Sequence, residues 1–173
     1  WLVPTMSSCA NLLQNTGLVT HETAADSQSP QNADILLRWG APEVLTSNAY
    51  QLGTESLVLA VNSNNPLQSL TLKTTRKVLS GEITSWGALH TECPDCFSQS
   101  YDSSFDNQQI LLNFYPQGED IQHMLVDNVM GGYPVAVLPA FLVPDTNAVN
   151  QALSENNYSL GILPSRGLDN GSK

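Results

Sequence analysis

The 173 residues suit one ordinary domain or two small ones and leave ample chain for a sizeable buried core. Six Lys and Arg against 16 Asp and Glu give a formal charge of −10, while Asn, Gln, Ser and Thr together supply 56 residues. With 41% hydrophobic residues the composition is that of a globular chain and not a disordered one, and so few cations speak against a nucleic-acid partner, since affinity for a polyanion comes mainly from Lys and Arg.

The only cations are Arg38, Lys73, Arg76, Lys77, Arg166 and Lys173, and the stretch 78–165 carries ten acids with no Lys or Arg. Lys73, Arg76 and Lys77 read as cations in the last turns of a helix. No run approaches the ~20 consecutive apolar residues of a membrane helix, so direct membrane insertion of this domain is not expected. The chain opens on Trp1 instead of Met, as a processed or trimmed product would. Met6-Ser7-Ser8 before Cys9 is faintly similar to a lipoprotein processing site, but Leu2, Met6, Cys9 and Leu13 fall at helical spacing and predict a half-buried helix.

Gly17 to Thr20 offers a first short strand, and Ala25 to Asn32, rich in Ser, Gln, Asn and Pro, reads as a loop. Ala33 to Leu37 predicts a strand ending at Arg38-Trp39-Gly40. Leu57 to Val61 is a continuous apolar run closed by Asn62-Ser63-Asn64-Asn65-Pro66, the pattern of a buried strand stopped by a turn. A helix follows, with Ser69 or Thr71 as cap, Leu72, Val78 and Leu79 on one face, its three cations in the C-terminal half and Gly81 just past its end.

Ile110 to Tyr115 predicts the next strand. After Gln117-Gly118, the residues Ile121, Met124, Leu125 and Val129 recur as in an amphipathic helix, which Gly131-Gly132 ends. Val135 to Val143 is apolar and broken by Pro139; Asp145 then caps a helix with Ala148, Val149, Ala152 and Leu153 on one side, and Leu160 to Leu163 returns as a strand. This alternation predicts parallel pairing through crossovers, an α/β domain with helices covering the sheet.

With these elements placed, Leu57-Val58-Leu59-Ala60-Val61-Asn62-Ser63-Asn64-Asn65-Pro66, then Ser69-Leu70-Thr71, then Ser80-Gly81-Glu82-Ile83-Thr84-Ser85-Trp86 resemble, in order and offsets, the phosphate-binding-protein-like branch of the type II periplasmic solute-binding proteins. Leu160-Gly161-Ile162-Leu163-Pro164 is similar to that family's late strand, and Ala33-Asp34-Ile35 to its earlier one. The motif is mainly architectural: Gly81 suits a left-handed helix end, while Ile83 and Trp86 fold back on the helix. The resemblance implies a type II periplasmic-binding-protein-like fold, a mostly parallel sheet covered by helices. Residues 1–55 would be a reduced or truncated N-terminal lobe, 56–165 the α/β binding lobe and 166–173 a C-terminal tail.

It further implies a non-enzymatic, extracytoplasmic protein, periplasmic, secreted or lipid-anchored. Such a protein captures a small-molecule or ion ligand between lobes for the permease of an ATP-driven importer, or for sensing; a scaffold or interaction module retaining the fold is the alternative. No cofactor or metal is expected. The candidate ligand-binding residues are Arg38, Trp39 and Gly40 at a strand end and Gln117, Gly118 and Glu119, which stand where anion-binding relatives place a Ser-Gly-Thr-like turn.

Glu119 and Asp120 look like a catalytic carboxylate pair but read better as residues complementing a helix dipole. Gly-x-Ser-x-Gly, His-Glu-x-x-His and the P-loop do not occur. His90, Cys93 and Cys96 form His-x-x-Cys-x-x-Cys, compatible with zinc, with a redox pair, or most simply with a local Cys93–Cys96 disulfide in an exported chain.

Overall fold

In the computed structural model, residues 38–40, 48–116, 119–135, 140–169 and 172–173 are described. The expected helix around Cys9, the strands at Gly17 to Thr20 and Ala33 to Leu37, and the turn Gln117-Gly118 lie outside them.

The apolar run Leu57–Val61 forms strand β1 and stops in the Asn-rich turn, because the Asn side chains take over the bonding there. The Asn62 side chain accepts from Asn64 N–H and donates to the carbonyl of Leu153, while Asn65 accepts from Leu67 N–H and donates to the carbonyl of Asn157. Helix α1, Leu72–Leu79, starts at Thr71, whose hydroxyl accepts from Thr74 N–H at 3.1 Å. It ends at Ser80, and Gly81 follows at φ 75°, the left-handed conformation glycine adopts without strain.

Ile83 N–H bonds back to Lys77 O, and Ser85 caps helix α2, Trp86–Glu92. Two details of α1 differ from expectation. Lys73 stands in its first turn, leaving only Arg76 and Lys77 in the last, and Leu72 is 53% exposed because the buried stripe instead runs through Thr74, Thr75, Val78 and Leu79.

Strand β2, Leu111–Phe114, leads to helix α3, Asp120–Leu125, which is wound as a π-helix over Val126–Met130 and ends at Gly131. Strand β3, Ala140–Leu142, precedes helix α4, Thr146–Glu155, capped by the Asp145 carboxylate on Ala148 N–H at 2.9 Å. Strand β4, Ser159–Pro164, is buried along its whole length.

One sheet holds all four strands in the order β1-β4-β2-β3. β2 pairs parallel with both β4 and β3, but β1 runs antiparallel to β4, Leu57 opposite Pro164 and Val61 opposite Leu160. The expected crossover parallelism therefore holds for three strands. β1 enters from the other end, and no local pattern marks a strand's direction.

Each face of the sheet has its own core. Val61, Leu112, Phe114, Leu160 and Ile162 pack against α1, α2 and the π-helical turn, around the fully buried Leu79, Trp86 and Leu89. Ala60, Tyr115 and Leu163 pack against Ile121, Val149 and Leu153, with Trp39 and Met124 at the margin.

α4 lies directly on Gly161: a Cβ there would stand 2.5 Å from Val149 Cγ1 and 3.4 Å from a Leu153 methyl. Gly161→Ala is therefore expected to lower stability by about 1–3 kcal/mol through overpacking, since a β-branched residue in a helix strongly prefers one rotamer and Val149 yields only at a cost. A urea midpoint equal to that of the parent protein would contradict this.

Candidate functional site

In open α/β sheets ligands sit at the carboxyl ends of the parallel strands, beyond the loops that lead into helices. Here that edge gathers Tyr115 and Pro116 after β2, Asp145 and Thr146 after β3, and Ser165 and Arg166 after β4, with Glu55 just before the antiparallel β1. The Tyr115 hydroxyl bonds the Thr146 hydroxyl at 2.9 Å. Burial pushes the Tyr115 phenol above its ordinary range, the Thr146 bond opposes that shift, and the carboxylates of Asp145 and Glu119 add to it. Tyr115 is thus a neutral group between two acids.

The segment Arg38–Gly40 arrives at the same edge from far away in the chain. The Arg38 guanidinium lies 3.1 Å from Asp120 Oδ1, and Trp39 N–H donates to Asp120 Oδ2 at 2.7 Å. Gly40, at φ 77°, passes against Met124, where a Cβ would lie 3.4 Å from Cγ. Glu119 is the N-cap position of α3, yet its side chain makes no capping bond. Of the six expected ligand-binding residues, Arg38 and Trp39 reach Asp120 at the helix start, next to Glu119 in the chain, Gly40 passes Met124 one turn further along, and Gln117 and Gly118 fall outside the described residues.

What the sequence reading missed is the polar company of that edge: Glu55, Tyr115, Thr146, Ser165 and Arg166. The available signal was position, because each of these residues lies within four positions of the end of a strand.

Glu55 links the entry of β1 to the exit of β4. Its carboxylate accepts from the Ser165 hydroxyl and from Arg166 N–H, and pairs with the Arg166 guanidinium at 3.0 Å. The Ser165 hydrogen bond above all, with Arg166 N–H and the Arg166 charge, holds the Glu55 pKa below its usual value against the opposing effect of burial. A carboxylate lowered on folding adds stability that is full above its unfolded pKa of ~4.3 and is lost as pH falls through the folded value. Glu55→Gln is therefore expected to be less stable than the parent at neutral pH. That difference should shrink as pH falls below the unfolded pKa of ~4.3 and through the lower folded value, and a pH-independent difference would show that the charge of Glu55 is not involved.

Cys93 and Cys96 lie elsewhere, at the end of α2 in the opposite core, joined by a disulfide with Cα atoms 5.4 Å apart. This leaves neither sulfur for zinc, and His90 stacks face to face on Tyr101 with ring centres 3.8 Å apart. Among the described residues no group of three or more His, Cys, Asp or Glu is placed to hold a metal ion.

No protein-family model and no curated protein matches the chain. Solved structures do. An ABC-type phosphate transport receptor from Vibrio cholerae superposes with a TM-score of 0.55 at 19% identity, over 69% of this chain and 44% of the receptor. A Clostridium perfringens protein assigned as a phosphate ABC transporter substrate-binding protein, crystallised with bound phosphate, gives 0.54 at 16% identity, over 69% of this chain and 43% of its own. The chain thus spans less than half the length of these proteins. The α/β sheet described above has the type II periplasmic solute-binding-protein fold, covering part of those proteins' architecture.

Proposed function

We propose that this chain is an extracytoplasmic solute-binding protein of an ATP-driven importer or a sensor, non-enzymatic, with a ligand other than free phosphate. In this reading 56–165 is the binding lobe, and 1–55 is a reduced or truncated lobe that contributes Arg38, Trp39 and Gly40 to a cleft closed by hinge motion. A transporter permease is the implied partner. The Cys93–Cys96 disulfide suits an oxidising compartment, and no helix among the described residues is long and apolar enough to cross a membrane.

The Asp120 carboxylate carries the argument about the ligand. A bound oxyanion needs converging donors, and here the chain's own carboxylate takes both the Arg38 guanidinium and Trp39 N–H. Glu119 adds a second negative charge at the same place, and like charges within a few ångströms cost on the order of 1 kcal/mol in water and several times more in a partly buried cleft. A neutral, zwitterionic or cationic solute fits this edge better than phosphate.

Isothermal titration with inorganic phosphate at neutral pH is expected to give no binding in the micromolar range; micromolar or tighter binding would overturn the ligand assignment. A thermal-shift screen of neutral, zwitterionic and cationic solutes then tests capture itself, since a ligand at 100 times its Kd adds about 2.7 kcal/mol to stability.

A second reading, an interaction module retaining the fold, is favoured by where two grooves lie. One, of about 330 Å³, runs along α4 between Asn147, Asn150, Gln151 and Asp169. The other, of about 460 Å³, lies beside β1. Neither is lined by Arg38, Trp39 or Asp120.

A further inference from the structure

Two donors reach the Asp120 carboxylate together, from residues 82 and 81 positions upstream. The Arg38 guanidinium donates to Oδ1 at 3.1 Å and Trp39 N–H donates to Oδ2 at 2.7 Å, so each carboxylate oxygen has its own partner. A side chain and the next residue's main-chain N–H thus form a fork spaced for the two oxygens of one carboxylate, the bidentate arrangement that favours an oxyanion over a single polar atom.

The fork has anchors other than Asp120. The Trp39 side chain packs on the core of Ala60, Tyr115, Ile121 and Val149, and Gly40, at φ 77°, lies so close to Met124 that a Cβ would stand 3.4 Å from its Cγ. The Asp120 side chain is only 15% exposed, whereas that of Arg38 is 37% exposed, so solvent reaches the guanidinium half of the fork. Arg166, the other cation of this sheet edge, pairs with Glu55 at 3.0 Å. Arg38 is therefore the cation this helix start offers, and the chain's own acid holds it.

We propose that Arg38 and Trp39 N–H are an oxyanion-binding fork that the chain keeps occupied with its own Asp120 carboxylate. The contact is autoinhibitory: a carboxylate or phosphate from solution finds both donors taken and two acids, Glu119 and Asp120, repelling it, and enters only where the Asp120 carboxylate has left. Placing this fork in a ligand cleft rests on the solute-binding reading; the occupancy of its donors does not.

Asp120→Ala removes the carboxylate and leaves a space in which formate restores the same two oxygens. With a Kd of about 10 mM, 50 mM formate raises the Tm of this variant by about 2–4 °C over the same concentration of chloride. In NMR spectra formate also moves the Trp39 amide resonance of the variant back towards its position in the parent. The parent is expected to show neither change, nor is Asp120→Asn, whose amide still fills the space, nor the double variant Arg38→Gln with Asp120→Ala, which lacks half of the fork. Formate acting equally on parent and Asp120→Ala, or on neither, would overturn the proposal. So would an equal response of the double variant, or a rise in Tm without movement of the Trp39 resonance, either of which would put the anion elsewhere. An Asp120→Ala variant that stays unfolded with and without formate would overturn it as well, because Trp39 and Gly40 would then not hold the fork by themselves. None of these outcomes touches solute capture, which the thermal-shift screen of the parent decides, so the two failures are distinguishable.

Discussion

Replacing Trp86 with alanine is expected to lower the unfolding free energy by about 3–5 kcal/mol, the largest loss from any single substitution considered for this chain. Trp86 is fully buried and meets the edges of Phe97 and Phe105 at ring-centre distances of 6.4 and 6.3 Å. Its indole N–H donates to the carbonyl of Tyr158, at the start of β4. Alanine empties the centre of one core, and Trp86→Phe keeps most of the volume while removing one of the two donors to the Tyr158 carbonyl, the other being Leu111 N–H at 3.0 Å. Urea unfolding should rank parent, Phe variant and Ala variant in that order. A loss below about 1 kcal/mol for alanine would mean that this side of the sheet is not the packed core described above. Against a total stability of typically 5–15 kcal/mol, the expected loss is a large share for one residue.

Asn65→Ala is the second large effect, expected at about 2–3 kcal/mol although it removes little apolar area. Asn65 is fully buried, and its side chain spans two parts of the molecule. Its amide donates to Asn157 O at 2.6 Å, and its carbonyl oxygen accepts from Leu67 N–H at 2.9 Å. Alanine leaves the buried Leu67 N–H without a partner, which costs more than the bond itself contributes, and also removes the bond to Asn157 O at the protein surface. Asn64→Ala is the control, because only its main-chain N–H is used in the turn. Urea midpoints of the two variants decide the matter: equal small losses would assign the turn a purely local role.

The difference between these neighbours shows how far the sequence could be read. Asn62 to Pro66 is recognisable as a strand stop from composition alone, because turn residues act within a few positions. That Asn62 clamps the last turn of α4 while Asn65 clamps the α4–β4 connection depends on a helix some 90 residues later.

The same division runs through the fold. The Asp145 cap, the left-handed Gly81 and the strands β1, β2 and β4 follow from the sequence by itself, whereas the structure chose Thr71 over Ser69 as the cap of α1. Caps, turns and hydrophobic periods join residues only a few positions apart, so each carries its physical cause within its own window. The Ser80 to Trp86 motif likewise made the architecture legible, since its fixed offsets describe how one helix ends and the next begins.

Only the tertiary structure decided that β1 runs antiparallel to β4, that Arg38 and Trp39 end on Asp120, that Glu55 meets Ser165 and Arg166, and that Lys173 pairs with Val61. A strand's direction is set by the layer it must cover, and an ion pair by where the packed elements bring its two ends. Neither leaves a trace in the residues beside it, so these long-range partners became visible only once both cores had closed over the sheet.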